Sequence, residues 1–236
     1  MLRLYRGTGQ QLWRCAQLSL GVALSGGEHR FPQARILLFA KAPVPAACKT
    51  RLIPALGAVG AAALHRELLE NTLARLVPAG IAPLSLWCMP DATHPAFQAL
   101  AGHFGVSLHQ QRGEDLGARM LHAAARALAE AEAVVLIGCD CPGLGPEQVA
   151  SALATLLEPP QCEAVLGPAD DGGYVLLGLR RAAPGLFTDM PWGGDQVAAV
   201  TRERMAALGW RWRELAPLAD VDRPEDLARY RAAAVR

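Results

Sequence analysis

The sequence predicts an α/β fold in which helices flank one mainly parallel central sheet. Two observations predict it. Short apolar runs bounded by turn signals alternate with stretches of helical spacing through most of the chain. That alternation is the signature of strand–helix–strand units, which bury a parallel sheet on both faces. Finally, five stretches dense in chemistry fall where strands should end: 39–52, 111–120, 138–144, 167–174 and 220–227. Ligands of open α/β sheets bind at the carboxyl ends of the strands.

Taken in order, residues 35–40 (RILLFA) read as a buried strand followed by a proline-rich loop. Residues 58–76 form an amphipathic helix, with Leu64, Leu68, Leu69, Leu73 and Leu76 at helical spacing. A second strand over 84–89 stops at Pro90 and Asp91, a short helix covers 95–103, and a third strand covers 106–110. An alanine-rich helix over 116–131 precedes the clearest buried strand, 133–138 (AVVLIG). A helix over 145–157 has Pro146 suited to its first turn. Strands over 164–167 and 174–179 flank an Asp-Asp-Gly-Gly turn, and a helix covers 195–208. Residues 210–215 alternate Trp and Arg, as an edge or half-buried strand does. A closing helix runs over 223–234, with Pro224 at its start. No internal repeat and no linker divides the chain, so residues 35–236 are expected to form one domain.

Composition narrows the function. Of 236 residues, 52% are hydrophobic and 19% charged, enough apolar material to fill a core and too little charge for a disordered chain. A net charge of +1 without a long basic run argues against a nucleic-acid partner. Six cysteines at irregular spacing form no Cys-x-x-Cys or zinc pattern, and read as reduced thiols in a cytoplasm. The six histidines show no metal spacing and read as surface or core residues. No stretch approaches a membrane span. Residues 1–34 lack the clean apolar region of a signal peptide and read as a poorly ordered extension. Trp210 and Trp212 on an exposed edge strand could support a homodimer.

The motifs suggest a phosphate-and-metal site. The first loop carries Lys41, then Lys49 and Arg51, on a stretch stiffened by prolines. Backbone amides with added lysine and arginine suit a diphosphate, although the Walker A spacing is missing. A solvated basic loop is the alternative. Asp140 directly follows the cleanest strand, a position suited to a divalent metal held by carboxylates and substrate phosphates; a turn aspartate is the alternative. Asp220 and Asp222 flank a valine and point the same way on an extended segment, so one could share that metal. Gly172 and Gly173 permit a tight bend or a close approach of backbone to a ligand, beside Asp170 and Asp171. Gln111 and Arg112 could read a base or sugar, while Asp115 reads as a helix cap. Trp192, in a glycine-rich loop, suits stacking on a ligand and closing the core equally.

Taken together, FAKAPVPAACKTRL, QRGEDLGARM, GCDCPGL, GPADDGGYVLLGL and DVDRPEDL, in that order, resemble the DUF2064 family over about residues 35 to 230. The family is also described as rSAM/selenodomain-associated transferase 1. It is similar to the GT-A, or nucleotide-diphospho-sugar transferase, fold, and its members are described as glycosyltransferase candidates. The last motif also resembles the closing segment of nucleotidylyltransferases of the molybdenum-cofactor and phospholactate guanylyltransferase type. That resemblance implies Asp140 and Asp222 as ligands of Mg²⁺ or Mn²⁺, and Lys49 and Arg51 as phosphate contacts. Cys139 departs from the usual serine, Ala46-Ala47 from a glycine-containing stretch, and Arg223 from threonine.

The expectation is a metal-dependent transferase. Its partners would be a nucleotide-diphospho-sugar donor and a small-molecule acceptor, with Asp171 as the catalytic candidate for acceptor binding or base work. A nucleotidylyltransferase using an NTP and a non-catalytic nucleotide-binding protein are the alternatives.

Overall fold

The computed structural model describes residues 29–234. The expected N-terminal extension lies, through residue 28, outside the described residues. Beyond it, Arg30 and Phe31 donate backbone hydrogen bonds to Gly80 and Ile81, and Phe31 is buried.

Seven strands form one sheet among the described residues: β1 (Ala34–Lys41), β2 (Leu84–Met89), β3 (Ser107–Gln110), β4 (Ala133–Gly138), β5 (Ala164–Pro168), β6 (Tyr174–Leu179) and β7 (Trp212–Glu214). Their spatial order is β3-β2-β1-β4-β6-β5-β7. Helices α1 (Ile53–Leu76), α2 (Pro95–Phe104), α3 (Leu116–Leu128), α4 (Pro146–Leu157), α5 (Val197–Ala207) and α6 (Pro224–Ala234) flank it. β1 pairs in parallel with β2 and β4, β2 with β3, and β5 with β7. β6 runs antiparallel to both β4 and β5. The reason is local: the connection through Asp170, Asp171, Gly172 and Gly173 is too short for the crossover a parallel pair needs.

Alternation along the strands divides the core. Ile36, Leu38, Val135 and Ile137 face α1, α2 and α4, alongside Leu69, Leu73, Phe97 and Leu153. Leu37, Val134 and Leu136 face the opposite way, against Met120, Ala123 and Ala124 of α3 and Ala198 and Met205 of α5. A third cluster joins α1 to α6 through Leu64, Leu68, Val221 and Leu227.

Two elements refine the sequence reading. Gly57 (φ 69°, ψ 165°) breaks the long helix, so the regular part begins at Ala58. By length and composition alone, Thr50–Leu76 is apolar enough to cross a membrane, contrary to the expectation of no such stretch. In the fold its apolar face, including Leu69, Leu73 and Leu76, covers the sheet. Trp210 is not on an exposed edge. It is 5% exposed, sits in the second core cluster and is covered by the Arg181 guanidinium at 5.1 Å. Trp212 is half-buried and its indole donates to Glu214.

The chain moves outward from β1 to β2 and β3, then returns to place β4 on the other side of β1. A crevice therefore opens between the carboxyl ends of β1 and β4, where ligands of such sheets bind.

Candidate functional site

A cleft of about 650 Å³ lies at that point. Its walls include Lys41, Lys49, Arg51, Gln111, Asp140, Asp171, Gly173, Asp220 and Asp222. The loop after β1 turns back through left-handed conformations at Ala46 and Lys49 (φ 66° and 49°). This turn sends the Lys49 side chain inward, where it is 2% exposed. Its ammonium lies 2.9 Å from Asp140 Oδ2 and 4.0 Å from Asp222 Oδ1, and donates to the Val221 carbonyl at 2.6 Å. Arg51 Nη1 donates to Asp222 Oδ2 at 2.5 Å.

Backbone contacts hold the two aspartate segments together. The Val221 N–H donates to the Asp140 carbonyl at 2.8 Å. Ala169 bridges Leu218, and Asp170 N–H donates to the Leu218 carbonyl, so the 169–173 turn is fastened beside residues 218–222. Asp171 is exposed at the rim and accepts from the Gly173 N–H at 2.9 Å.

These contacts set the electrostatics. Partial burial favours the neutral form of Asp140, but the neighbouring His65 ring, 3.7 Å away, and the Lys49 ammonium outweigh it and hold the carboxyl far below the usual range. Asp220 goes the other way. Burial and the neighbouring charge of Asp171, with Asp222 adding to it and Lys49 opposing, push its carboxyl up to about 6. The Asp222 contact with Arg51 raises that guanidinium.

Other sequence candidates sit differently. Gln111 is at the cleft, but its amide nitrogen donates to the Ala40 and Trp87 carbonyls at 3.3 and 2.8 Å, tying the ends of β1 and β2. Arg112 is exposed and is not among the cleft residues; Arg119 of α3 is, with its guanidinium braced by the Gly113 and Glu114 carbonyls. Lys41 is exposed. Gly172 is needed for close approach to the chain itself: at φ 88°, a Cβ there would lie 2.0 Å from the Asp195 carbonyl oxygen. Asp115 caps α3 through the Ala118 N–H. Trp192 lines the cleft, packs on the second core cluster and meets Tyr174 edge-on at 6.3 Å.

Sequence reasoning missed His65. It lies on the buried face of α1 with Ala61, Leu68 and Thr72, and is 5% exposed. Its Nε2 is 2.9 Å from the Lys41 carbonyl, and its Nδ1 is 3.7 Å from Asp140 Oδ1 and 3.9 Å from Cys139 Sγ. A histidine at a core position of an amphipathic helix was the available signal. Burial, helped by the Asp140 charge, pushes the Cys139 thiol well above its ordinary range.

The sequence profile of the family described as uncharacterised proteins conserved in bacteria, DUF2064, matches residues 72–194, over half of the chain. The chain belongs to DUF2064.

No curated protein matches this DUF2064 chain by sequence. Among solved structures, it is 34% identical to a protein from Desulfovibrio desulfuricans G20 described as a candidate nucleotide-diphospho-sugar transferase. That likeness has a TM-score of 0.77 and covers 85% of this chain and 87% of the other. The fold is also that of a cytidylyltransferase from Leptospira borgpetersenii, at 14% identity and TM-score 0.55, covering 83% of this chain and 84% of the other. Glucosyl-3-phosphoglycerate synthase from Mycobacterium tuberculosis, solved with Mn²⁺, UDP and glucosyl-3-phosphoglycerate, is 14% identical with TM-score 0.50. There the likeness covers 84% of this DUF2064 chain and 75% of the other. The fold is therefore a single α/β domain of the nucleotide-sugar transferase type.

Proposed function

We propose that this DUF2064 protein is a metal-dependent transferase acting on a nucleotide-diphospho-sugar donor and a small-molecule acceptor. One observation carries the reading. At the β1/β4 crevice, carboxylates from two separate segments, Asp140 and Asp222, converge on a single cation, the Lys49 ammonium. The likeness to the Desulfovibrio protein supports the donor class.

The residues fit a hard divalent ion. Asp140 and Asp222 offer oxygen donors already arranged around positive charge, with Asp220 and Asp171 beside them. Mg²⁺ or Mn²⁺ held by Asp140 and Asp222 would neutralise charge on the leaving phosphate. The chain's own groups do the rest. Lys49 and Arg51 exchange their aspartate contacts for phosphate oxygens and supply fixed positive charge where negative charge develops. Lys41 lies at the same mouth of the cleft. Asp171, exposed at the rim, orients an acceptor hydroxyl and takes its proton. Trp192 and Tyr174 wall the cleft and exclude water.

A second reading is nucleotidyl transfer from an NTP. Three cationic side chains from the β1 loop region, Lys41, Lys49 and Arg51, suit a triphosphate as well as a diphosphate. The products separate the two: nucleoside diphosphate for glycosyl transfer, pyrophosphate for nucleotidyl transfer.

The test is thermal stability with Mg²⁺ or Mn²⁺ against nucleoside diphosphates, triphosphates and nucleotide sugars. A ligand at 100 times its Kd stabilises by about 2.7 kcal/mol. A metal-dependent shift with one diphosphate and its sugar conjugate, absent in a folded Asp140→Ala variant, is the expected result. A shift with triphosphates alone replaces this reading by nucleotidyl transfer, and no shift with any nucleotide overturns both.

A further inference from the structure

The two oxygens of Asp140 face different chemistry. Oδ2 is held by Lys49, whereas Oδ1 faces His65 and Cys139. We propose that His65 Nδ1, Cys139 Sγ and Asp140 Oδ1 form a second cation site, which takes a thiophilic divalent ion such as Zn²⁺.

Geometry supports it. The three ligand atoms stand 3.9 Å (S to N), 3.5 Å (S to O) and 3.7 Å (N to O) apart. Zinc bonds of about 2.0–2.3 Å at tetrahedral angles place such atoms roughly 3.3–3.6 Å apart. Closing onto the ion thus takes shifts of a few tenths of an ångström.

The histidine is set up as a ligand. A carbonyl only accepts, so Nε2 carries the proton donated to the Lys41 carbonyl at 2.9 Å. In the neutral ring this leaves the Nδ1 lone pair directed to the corner, and a backbone carbonyl behind the imidazole is the usual outer support of a metal-bound histidine. Apart from the weak thiol contact at 3.9 Å, this buried nitrogen has no hydrogen-bond partner. All three residues line the cleft, so an ion reaches them from it and a water completes four-coordination. Binding converts the Cys139 thiol to thiolate and releases one proton. Thiolate and imidazole select against Mg²⁺, which sets this corner apart from the all-oxygen side of Asp140.

Cobalt(II), an optical stand-in for zinc, tests the site in the full chain without nucleotide. The expected result is a thiolate-to-cobalt charge-transfer band that saturates at one equivalent, is abolished by Zn²⁺ and is indifferent to excess Mg²⁺. Cys139→Ser removes the band, and His65→Gln weakens Co²⁺ binding by about tenfold or more, the least that even outer-shell changes cost. Asp222→Asn and Cys141→Ser retain it. X-ray absorption of the zinc-loaded wild-type chain shows one sulfur neighbour and needs no variant to fold. Absence of the band, its survival in Cys139→Ser, or a zinc shell without sulfur overturns the proposal. Nucleotide plays no part in these measurements, so their failure and that of the transferase reading are separate outcomes.

Discussion

Lys49 combines a left-handed backbone with a side chain buried beside two aspartates. Replacing it by alanine leaves Asp140 without its ammonium partner. Because the Asp140 side chain is 46% exposed, water makes up part of the loss. The expected destabilisation is about 1–3 kcal/mol, as for an orphaned polar group, and less than for a fully buried pair. Denaturant unfolding of Lys49→Ala measures it. Gly172→Ala is expected to cost about 1–3 kcal/mol for its backbone conformation alone, and more because the new Cβ meets the Asp195 carbonyl. The same denaturation experiment reads this out, and a neutral result would mean the two loops can separate freely. At this scale the site was partly legible. Asp140 directly follows β4, a position readable from the strand itself, whereas Lys49, Arg51 and Asp222 sit on the long segments after β1 and β7 and meet it only through the packing of those segments. Gln111 lines the cleft while its amide also ties the chain's own backbone, and of the tight bend and the ligand approach expected of Gly172 the fold uses the tight bend, because a residue's type does not say which neighbour it will meet.

At the scale of elements, β7 shows the same division. Its Trp-Arg alternation marked a strand, but could not tell which side the core would cover. Here Trp210, just before the strand, is buried against the sheet and Arg181. Glu214 of β7 receives two hydrogen bonds from Arg202 of α5, at 2.8 and 2.9 Å. The Arg202 contact holds the Glu214 carboxyl below its ordinary range. A carboxyl with a lowered folded-state pKa stabilises the fold above its unfolded pKa of about 4.3. The contribution is lost as pH falls through the lower, folded value. Being partly exposed, the pair is worth about 0.2–1 kcal/mol. Glu214→Gln should therefore lower stability at pH 7, with the difference from wild type vanishing in acid. A wild-type advantage that persists below pH 3 would contradict the assignment.

At the scale of the molecule, helices on both faces of the sheet leave the cysteines among the described residues little access to solvent. Cys48, Cys88, Cys139, Cys141 and Cys162 are free thiols, each 7% exposed or less. Burial also pushes the Cys88 thiol up to about 12. Iodoacetamide should modify Cys88 and Cys162, which do not line the cleft, only as fast as the fold opens, with full labelling in denaturant, and peptide mass spectrometry checks each.

The order of strands and helices and the basic and acidic character of the strand ends were determined by sequence alone. Both arise from short-range periodicity and turn chemistry, which neighbouring residues carry. Only tertiary structure decided that α1 brings His65 to Cys139 and Asp140, and that residues 220–222 close over Lys49. Those meetings join segments 74 and 172 residues apart. They depend on helix packing and strand order, which local sequence pattern does not encode.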